Sequence, residues 1–236
     1  ILCKADFELL PHQMFVKNFL SLQTPYNSLL LYHGLGTGKT CSAIGISEEM
    51  RHFMKQVGVK QKILIVASPN VQNNFRLQLF DERKLKLVDG LWNLRDCTGN
   101  KYLKEINPMN MKGLSKDKVI RQVKRIINTA YLFLGYTEFA NYILKISHTE
   151  NDNKQLMISK LKKNFNNRLI IIDEVHNIRI SDDNQNKHVA KELFKLVKYV
   201  DNIRLLLLSA TPMYNSYKEI VWLLNLMNLN DRRSQI

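Results

Sequence analysis

Short apolar runs recur along the chain, and most are followed by a turn and by a stretch in which apolar residues have helical spacing. This alternation is typical of a parallel sheet with crossover helices, and the mostly apolar runs indicate strands covered on both faces. We therefore predict an α/β fold. The predicted strands are residues 29–32, 63–67, 131–135, 169–172 and 204–209. The predicted helices are, approximately, residues 11–22, 40–56, 71–80, 116–128, 154–165, 187–200 and 217–227.

The segment from about residue 81 to residue 128 is long for one connection in such a fold. It contains turn signals at Asp89-Gly90, Thr98-Gly99-Asn100 and Asn107-Pro108. We therefore expect an insertion with some structure of its own, within a single domain that spans residues 1–236.

The composition fits one globular α/β domain, because 45% of the 236 residues are hydrophobic and 24% are charged. No apolar run approaches the roughly 18 residues that a membrane span requires, so we expect no membrane partner. The formal net charge of +14 favours a polyanionic partner, most often nucleic acid. A merely solubilising basic surface would have the same charge.

The 3 cysteines, Cys3, Cys41 and Cys97, share no spacing typical of metal ligands. We expect ordinary reduced thiols and therefore a reducing intracellular compartment. The chain begins at Ile1, and no signal-peptide pattern follows it. This beginning predicts a fragment of a longer protein.

The sequence H-G-L-G-T-G-K-T at residues 33–40 lies between a predicted strand and a predicted helix. Glycines allow the backbone to turn tightly there, while N–H groups and the positive end of the helix bind phosphate oxygens. Lys39 would reach the terminal phosphates of a nucleotide, and the Thr40 hydroxyl would hold Mg²⁺. His33 occupies the position of the usual first glycine. The predicted phosphate-binding residues are Gly34, Leu35, Gly36, Thr37, Gly38, Lys39 and Thr40.

A second candidate element, D-E-V-H at residues 173–176, follows the predicted strand 169–172. A phosphate loop needs a carboxylate at the end of a neighbouring strand to hold Mg²⁺, and Asp173 is placed for that role. Glu174 would orient and deprotonate the attacking water. With the phosphate loop, these residues predict an ATPase or a GTPase whose catalytic residues are Lys39, Asp173 and Glu174.

Two further features indicate which class of ATPase or GTPase this chain resembles. A predicted strand runs into S-A-T-P at residues 209–212, and the amide of Gln13 can pair with an adenine edge. In this order and spacing, the residues resemble the first RecA-like domain of superfamily-two helicases and translocases. The resemblance makes Gln13 the adenine-reading glutamine, G-x-G-K-T motif I, D-E-V-H motif II and S-A-T motif III. That superfamily commonly has alanine or another residue where His33 stands, so the missing glycine is no objection.

The phrases L-Y-H-G-L-G-T-G-K-T-C-S-A-I, I-I-I-D-E-V-H-N-I-R and S-A-T-P-M-Y-N look more specifically like the helicase-like ATPases of large DNA viruses. These include the poxvirus early transcription factor small subunit and the viral nucleoside triphosphatase that acts in transcription, with relatives in asfarviruses and giant viruses. The resemblance implies a RecA-like P-loop NTPase fold, hydrolysis of ATP with Mg²⁺, and action on DNA more than on RNA. It also implies viral RNA polymerase or another transcription factor subunit as partners, and the cytoplasmic virus factory and virion as locations.

The resemblance assigns further residues to coupling and to nucleic-acid binding. His176, Ser209 and Thr211 would couple hydrolysis to movement. The elements V-A-S-P-N at residues 66–70 and G-Y-T-E at residues 135–138 look like strand-end motifs that contact the nucleic-acid backbone. The residues expected in this contact are Ser68, Pro69, Asn70, Tyr136 and Thr137.

Basic residues greatly outnumber acidic residues between positions 101 and 125. In the predicted helix 116–128, Lys118, Arg121 and Arg125 lie largely off the apolar face and would bind phosphates of nucleic acid. A solvated amphipathic helix accounts equally for the same pattern.

Enzymes of this superfamily close their active site between two RecA-like domains. The chain ends soon after motif III, so we expect the second domain to be absent from it, and the isolated chain to bind ATP weakly and hydrolyse it slowly. Two functions share every motif in the chain. One is an ATP-driven motor domain on DNA, and the other is an ATP-switched module that recognises promoter DNA with little motor activity.

Overall fold

The computed structural model describes residues 10–21, 24–32, 34, 38–150, 153–178, 184–213 and 217–236, without the side chains of residues 184–186. Within these residues, 5 strands form one parallel sheet in the order β1-β7-β6-β2-β5. A hairpin of two antiparallel strands, β3 and β4, lies apart from this sheet. The strands are β1 (Ser28–Tyr32), β2 (Ile63–Val66), β3 (Lys86–Val88), β4 (Leu91–Asn93), β5 (Tyr131–Leu134), β6 (Leu169–Ile172) and β7 (Arg204–Ser209).

The helices connect the parallel strands, as the alternation of apolar patterns predicts. They are α1 (Pro11–Phe19), α2 (Lys39–Gln56), α3 (Pro69–Leu79), α4 (Lys101–Ile106), α5 (Lys116–Ala130), α6 (Tyr136–Ser147), α7 (Lys154–Phe165), α8 (Asn184–Tyr199) and α9 (Tyr217–Asn230). Short 3₁₀ turns occur at Glu82–Lys84 and Val175–Asn177.

Alternate side chains of the central strands point into two separate cores. In β2, Ile63 and Ile65 pack with residues of α1, α2, α3 and α5, whereas Leu64 and Val66 pack with residues of α6, α7, α8 and α9. The sheet is therefore covered on both faces, which explains the apolar runs and confirms the predicted α/β fold with helices on both faces.

The register of the sheet places the carboxyl ends of the strands at one edge. Val66 lies opposite Ile172 on one side and Leu134 on the other. Ile172 is also paired with Leu207, so β7 extends two residues further to Ser209. Residues that follow these strands therefore meet at the same edge, here called the carboxyl edge.

Helix α6 has no counterpart among the predicted helices. Gly135, which we expect from the sequence to end a strand, is the N-cap of α6. Phe139, Ala140 and Ile143 are fully buried and have helical spacing. The strand-end motif G-Y-T-E directly precedes these residues and itself forms the N-cap and first turn of α6, so the sequence has no separate signal for the start of a helix here.

The segment expected as an insertion, residues 81–128, contains the β3–β4 hairpin, α4 and most of α5. Helix α5 also belongs to the main core, because Val119, Val123 and Ile127 are buried with residues of α2. The basic side chains predicted on its other face are exposed.

A buried polar network attaches this segment to the sheet. Glu48 on α2 is fully buried and accepts hydrogen bonds from the hydroxyls of Tyr102 and Tyr131, each at 2.6 Å, and from Arg51 Nη2 at 2.9 Å. Arg51 Nη2 also lies 2.8 Å from Glu105 Oε2 on α4. Burial raises the pKa of both tyrosine hydroxyls well above their usual range, so they remain donors. The network joins α2, α4 and β5.

A disulfide bond joins Cys41 and Cys97, whose Cα atoms are 5.2 Å apart. The prediction that these thiols are reduced is therefore wrong. It failed because 56 residues separate the two cysteines in sequence, and only the folding of the inserted segment brings Cys97 to the first turn of α2.

In the described part of the chain, no helix combines the length and the apolar character needed to cross a bilayer.

Candidate functional site

The start of α2 follows the carboxyl end of β1. Gly38 is the N-cap of α2 and has a left-handed conformation with φ of 80°. Lys39 and Thr40 form the first helical turn and are half-buried. The left-handed backbone at position 38 favours glycine, and a Cβ atom there would lie 2.7 Å from Gln13 Nε2 and would force the Gln13 side chain to shift.

Gln13 is buried, and its amide nitrogen lies beside Gly38 at the start of α2. Its Oε1 atom accepts a hydrogen bond from the Leu10 N–H at 3.0 Å, which caps the first turn of α1. Since a carbonyl oxygen has two lone pairs, this contact leaves an acceptor site for a second donor.

The remainder of the predicted phosphate loop is only partly described. Gly34 is exposed. Leu35, Gly36 and Thr37, together with His33, lie outside the described residues.

Asp173 and Glu174 follow β6 directly. The Asp173 N–H donates to Val66 O at 2.9 Å, which fixes the end of β6 against β2. The Glu174 N–H donates to Asp173 Oδ1 at 2.8 Å. Glu174 has a left-handed backbone with φ of 46°, a conformation that costs a non-glycine residue about 1–3 kcal/mol and is concentrated at functional sites.

The electrostatic environment of Asp173 fits a site that binds a cation. Burial raises the pKa of Asp173 to about 6, although the Glu174 N–H and the charge of Lys39 act in the opposite direction. The positive charge around the buried Asp173 carboxylate is thus too small to offset the cost of burying its ionised form, and a divalent ion would supply the missing charge.

One oxygen of Glu174 is a second sign of an incomplete site. Its Oε2 atom is buried and accepts no hydrogen bond from any described residue, although His176 Nδ1 lies 3.3 Å away. This contact lacks hydrogen-bond geometry. A buried, unpaired carboxylate oxygen is costly, and a water or hydroxyl donor would relieve that cost.

His176, Ser209 and Thr211 are brought together, as predicted. His176 Nδ1 and Ser209 Oγ are 3.0 Å apart, and Ser209 is fully buried. The Thr211 N–H donates to the same Oγ atom at 3.0 Å. The end of β7 is therefore connected by hydrogen bonds to the turn that follows β6.

A metal ion at this edge needs ligands beyond protein side chains. No group of three or more histidine, cysteine, aspartate or glutamate side chains able to hold a metal occurs in the part of the chain that the structure describes. Thr40 and Asp173 would therefore bind Mg²⁺ together with phosphate oxygens and water, as is usual for this ion.

The candidate nucleic-acid residues after β2 and β5 lie at the same edge. Ser68 is the N-cap of α3, and Pro69 and Asn70 are exposed in its first turn. Thr137 is exposed in the first turn of α6. Tyr136 is only half-buried, but its hydroxyl donates to Asp173 O at 2.8 Å and is therefore directed at the turn after β6. No sequence signal indicates this contact, because it depends on the strand order.

The basic residues of α5 do not all lie at the carboxyl edge. Lys118, Arg121 and Arg125 are exposed. Arg125 lines a groove with Ile63, the first residue of β2, and thus lies at the opposite end of that strand from Ser68. Lys118 and Arg121 lie nearer the beginning of α5. The three residues have a spacing of three and four along α5, so they share one exposed face of the helix that runs from near its beginning toward the start of β2.

Comparisons with known proteins agree on one family. The model of the SNF2-related domain matches residues 12–234. The 087L protein of Invertebrate iridescent virus 3, a proposed helicase, is 28% identical over 227 residues, which cover 93% of this chain and 20% of that protein. The R563 protein of Acanthamoeba polyphaga mimivirus, a proposed ATP-dependent RNA helicase, is 30% identical over 233 residues, covering 96% of this chain and 33% of that protein.

Two more distant similarities complete the comparison. A homologue of the early transcription factor large subunit in African swine fever virus is 24% identical over 261 residues, covering 91% of this chain and 23% of that protein. The SWI2/SNF2 ATPase core of Sulfolobus solfataricus, solved with double-stranded DNA, is 14% identical with a TM-score of 0.47, covering 95% of this chain and 36% of that one. The chain thus spans about a fifth to a third of the length of the relatives 087L and R563.

Proposed function

This chain belongs to the SNF2-related domain family, and from this premise we propose that it is the ATP-binding domain of a nucleic-acid-dependent ATPase. The domain would bind ATP at the carboxyl edge and hydrolyse it to ADP and phosphate in order to act on DNA. The observation that carries this proposal is Glu174, whose strained backbone and buried oxygen without a hydrogen-bond donor among the described residues lie beside Asp173 at the end of β6.

The proposed binding roles follow from the positions of the side chains. Lys39 and the N–H groups at the start of α2 would bind the phosphates, because the positive end of a helix attracts anions. Gln13 would contact the adenine edge. Thr40 and Asp173 would hold Mg²⁺, which supplies positive charge that offsets the charge on the phosphates.

Glu174 would perform the proton chemistry. Its unpaired Oε2 atom is a ready acceptor for a hydrogen bond from the attacking water. As that water attacks the terminal phosphate of ATP, its proton would pass to the Glu174 carboxylate. The structural change that hydrolysis causes in this turn would be transmitted to the end of β7 by His176, Ser209 and Thr211.

DNA is the proposed polyanion. The net charge of +14, the half-buried Ser68 and the exposed residues Pro69, Asn70 and Thr137 at the carboxyl edge support binding of a phosphate backbone near the nucleotide. Lys118 and Arg121 would extend this surface, while Arg125 would contribute less because it lies toward the other end of β2.

The full-length protein would supply the remaining parts of the site. A second RecA-like domain would close on the nucleotide, and viral RNA polymerase or another transcription factor subunit would be a partner. A role in viral transcription is supported by the similarity to the African swine fever virus homologue of an early transcription factor subunit.

The experiment that tests the proposal is a steady-state ATPase assay of the full-length protein with single-stranded DNA, duplex DNA or RNA. We expect stimulation by DNA that exceeds stimulation by RNA. An ATPase rate that no nucleic acid changes would contradict the proposal, and stimulation by RNA alone would contradict its DNA part.

A second candidate function, an ATP-switched module for promoter DNA, is also supported by the similarity to an early transcription factor homologue. The two functions differ in their response to Glu174→Gln in the full-length protein. A motor would lose DNA translocation. A switch would stay locked on DNA with ATP bound and would retain promoter binding.

A further inference from the structure

Tyr136 follows the edge strand β5, yet its hydroxyl reaches the turn after β6. The strand order puts β2 between these two strands. The hydroxyl donates to Asp173 O at 2.8 Å, and Asn177 Nδ2 lies 3.5 Å from the same hydroxyl oxygen. The Tyr136 side chain therefore crosses the end of β2 and connects the start of α6 with the turn that contains Glu174.

The acceptor of this hydrogen bond belongs to the peptide group that joins Asp173 to Glu174. The N–H of the same peptide group donates to Asp173 Oδ1 at 2.8 Å. Both polar atoms of the peptide are thus held, the carbonyl by Tyr136 and the N–H by the neighbouring carboxylate. Because a peptide group is planar, fixing its orientation also fixes the direction from which Glu174 leaves the strand.

The start of α6 is a rigid support for this contact. Glu138 Oε2 accepts a hydrogen bond from the Gly135 N–H at 2.8 Å, which closes the first turn of the helix. The Ala67 N–H donates to Leu134 O at 3.0 Å, which anchors the end of β5 to the residue after β2. Phe139, in the next turn of α6, is fully buried.

We propose that Tyr136 is a positioning residue. Its hydroxyl holds the Asp173–Glu174 peptide, keeps the Glu174 backbone in its left-handed, strained conformation and thereby positions the Glu174 carboxylate. This inference rests on the proposed function, in which Glu174 accepts the proton of the attacking water. It also changes the role expected for Tyr136 from the sequence, which is contact with nucleic acid. The Tyr136 hydroxyl is directed at the turn that contains Glu174, whereas the neighbouring Thr137 is exposed. The contact therefore connects the candidate nucleic-acid surface at the start of α6 with the turn that carries Glu174, the candidate base.

The test compares Tyr136→Phe with Tyr142→Phe in the full-length protein. Tyr142 lies on the same helix, and its hydroxyl is 3.5 Å from Arg168 Nη1, away from Asp173. For Tyr136→Phe we expect kcat to fall about three- to tenfold, as for loss of one hydrogen bond, with the KM for ATP and the Kd for duplex DNA changed less than about twofold. Tyr142→Phe should leave all three quantities unchanged.

A second readout needs no nucleotide. Amide hydrogen exchange of the peptide that spans residues 173–178 should become faster in Tyr136→Phe and remain unchanged in Tyr142→Phe. If Tyr136→Phe weakens DNA binding while kcat at saturating DNA is unchanged, the hydroxyl contacts DNA and the positioning role is wrong. Unchanged exchange in this peptide, or equally faster exchange throughout β5 and α6, would also overturn it. A wild-type protein that hydrolyses no ATP would contradict the proposed function, whereas the exchange experiment would still test the contact.

Discussion

Glu48 is fully buried and Glu174 is half-buried with one buried oxygen, and the surroundings of the two carboxylates differ in kind. Glu48 accepts hydrogen bonds from two tyrosine hydroxyls and from Arg51. Glu174 has a strained backbone and a buried oxygen that no described residue donates to. The comparison indicates that the hydrogen-bonded charge of Glu48 holds the fold together, whereas the Glu174 oxygen combines a donor missing from the described part of the chain with a strained backbone at the edge where a ligand would bind.

Glu48→Gln gives the largest expected effect on stability. It removes one of the two carboxylates that pair with buried Arg51, the other being Glu105, and breaking a buried ion pair by removing one partner costs up to about 3–5 kcal/mol. We expect the free energy of unfolding, measured by urea denaturation, to fall by this amount. Glu49→Gln is the matched control, because Glu49 is exposed on the same helix and pairs with Lys17 at 2.8 Å. Its cost should stay below about 1 kcal/mol, and equal losses in both variants would contradict a structural role for the network.

Reduction of the Cys41–Cys97 disulfide should have the next largest effect. The bond closes a loop with a sequence separation of 56 residues, and such a cross-link stabilises a fold by about 2–4 kcal/mol. Urea unfolding with and without dithiothreitol measures this difference. The Cys41→Ser, Cys97→Ser double variant should match the reduced protein and be insensitive to dithiothreitol. Three free thiols in the denatured, unreduced protein would contradict the bond.

Lys39→Ala extends the comparison to ligand binding. Loss of a charged hydrogen bond to phosphate costs about 1.5–3 kcal/mol, so the Kd for ATP should rise about tenfold to a hundredfold, without a comparable loss of stability. Isothermal titration calorimetry on the full-length protein measures this change. Lys60→Ala is the control, since Lys60 lines the groove beside Ile63 at the far end of β2. An unaltered ATP affinity in Lys39→Ala would remove this lysine from the phosphate site.

The smallest expected effect is a pH dependence from Glu105 at the rim of the buried network. Burial alone would raise its pKa, but hydrogen bonds from Arg51 and Lys55 outweigh burial and lower the pKa to about 2. Because the folded pKa is below the unfolded value, the stabilisation is present above about pH 4.5 and is lost as the pH falls toward 2. After allowance for solvent screening, its size is about 1 kcal/mol.

This prediction is checked by urea unfolding of wild type and Glu105→Gln at pH 6 and at pH 2.5. The advantage of wild type should shrink at the lower pH. The exposed Glu150→Gln variant controls for the change in net charge. An advantage of wild type that is the same at both pH values would contradict the ion-pair explanation.

The apolar pattern predicted the sheet well because its strands are buried on both faces. The strands at 169–172 and 204–209 have the predicted bounds, and the helix that begins at Lys39 differs from its prediction by one residue. These segments have a strong local signal, since buried parallel strands are short, continuous apolar runs.

Long-range contacts are what the sequence could not reveal. The disulfide, the Glu48 network and the contact of Tyr136 with Asp173 each join segments that are distant in the chain. The disulfide and the Tyr102 hydrogen bond depend on the path of residues 81–128, and the Tyr136 contact depends on the strand order. Neither the path nor the strand order has a periodic signal. For the same reason, the linear cluster of basic residues did not show that Arg125 lies toward the opposite end of β2.

The central claim is that Glu174 performs chemistry at the carboxyl edge. Single-turnover hydrolysis of ATP by the full-length protein tests it most directly, with Glu174→Gln compared to Glu49→Gln and ATP binding measured in the same samples. We predict that Glu174→Gln binds ATP within a few-fold of wild type but hydrolyses it at least about a hundredfold more slowly, while Glu49→Gln hydrolyses it at the wild-type rate. Hydrolysis by Glu174→Gln at the wild-type rate would contradict the claim.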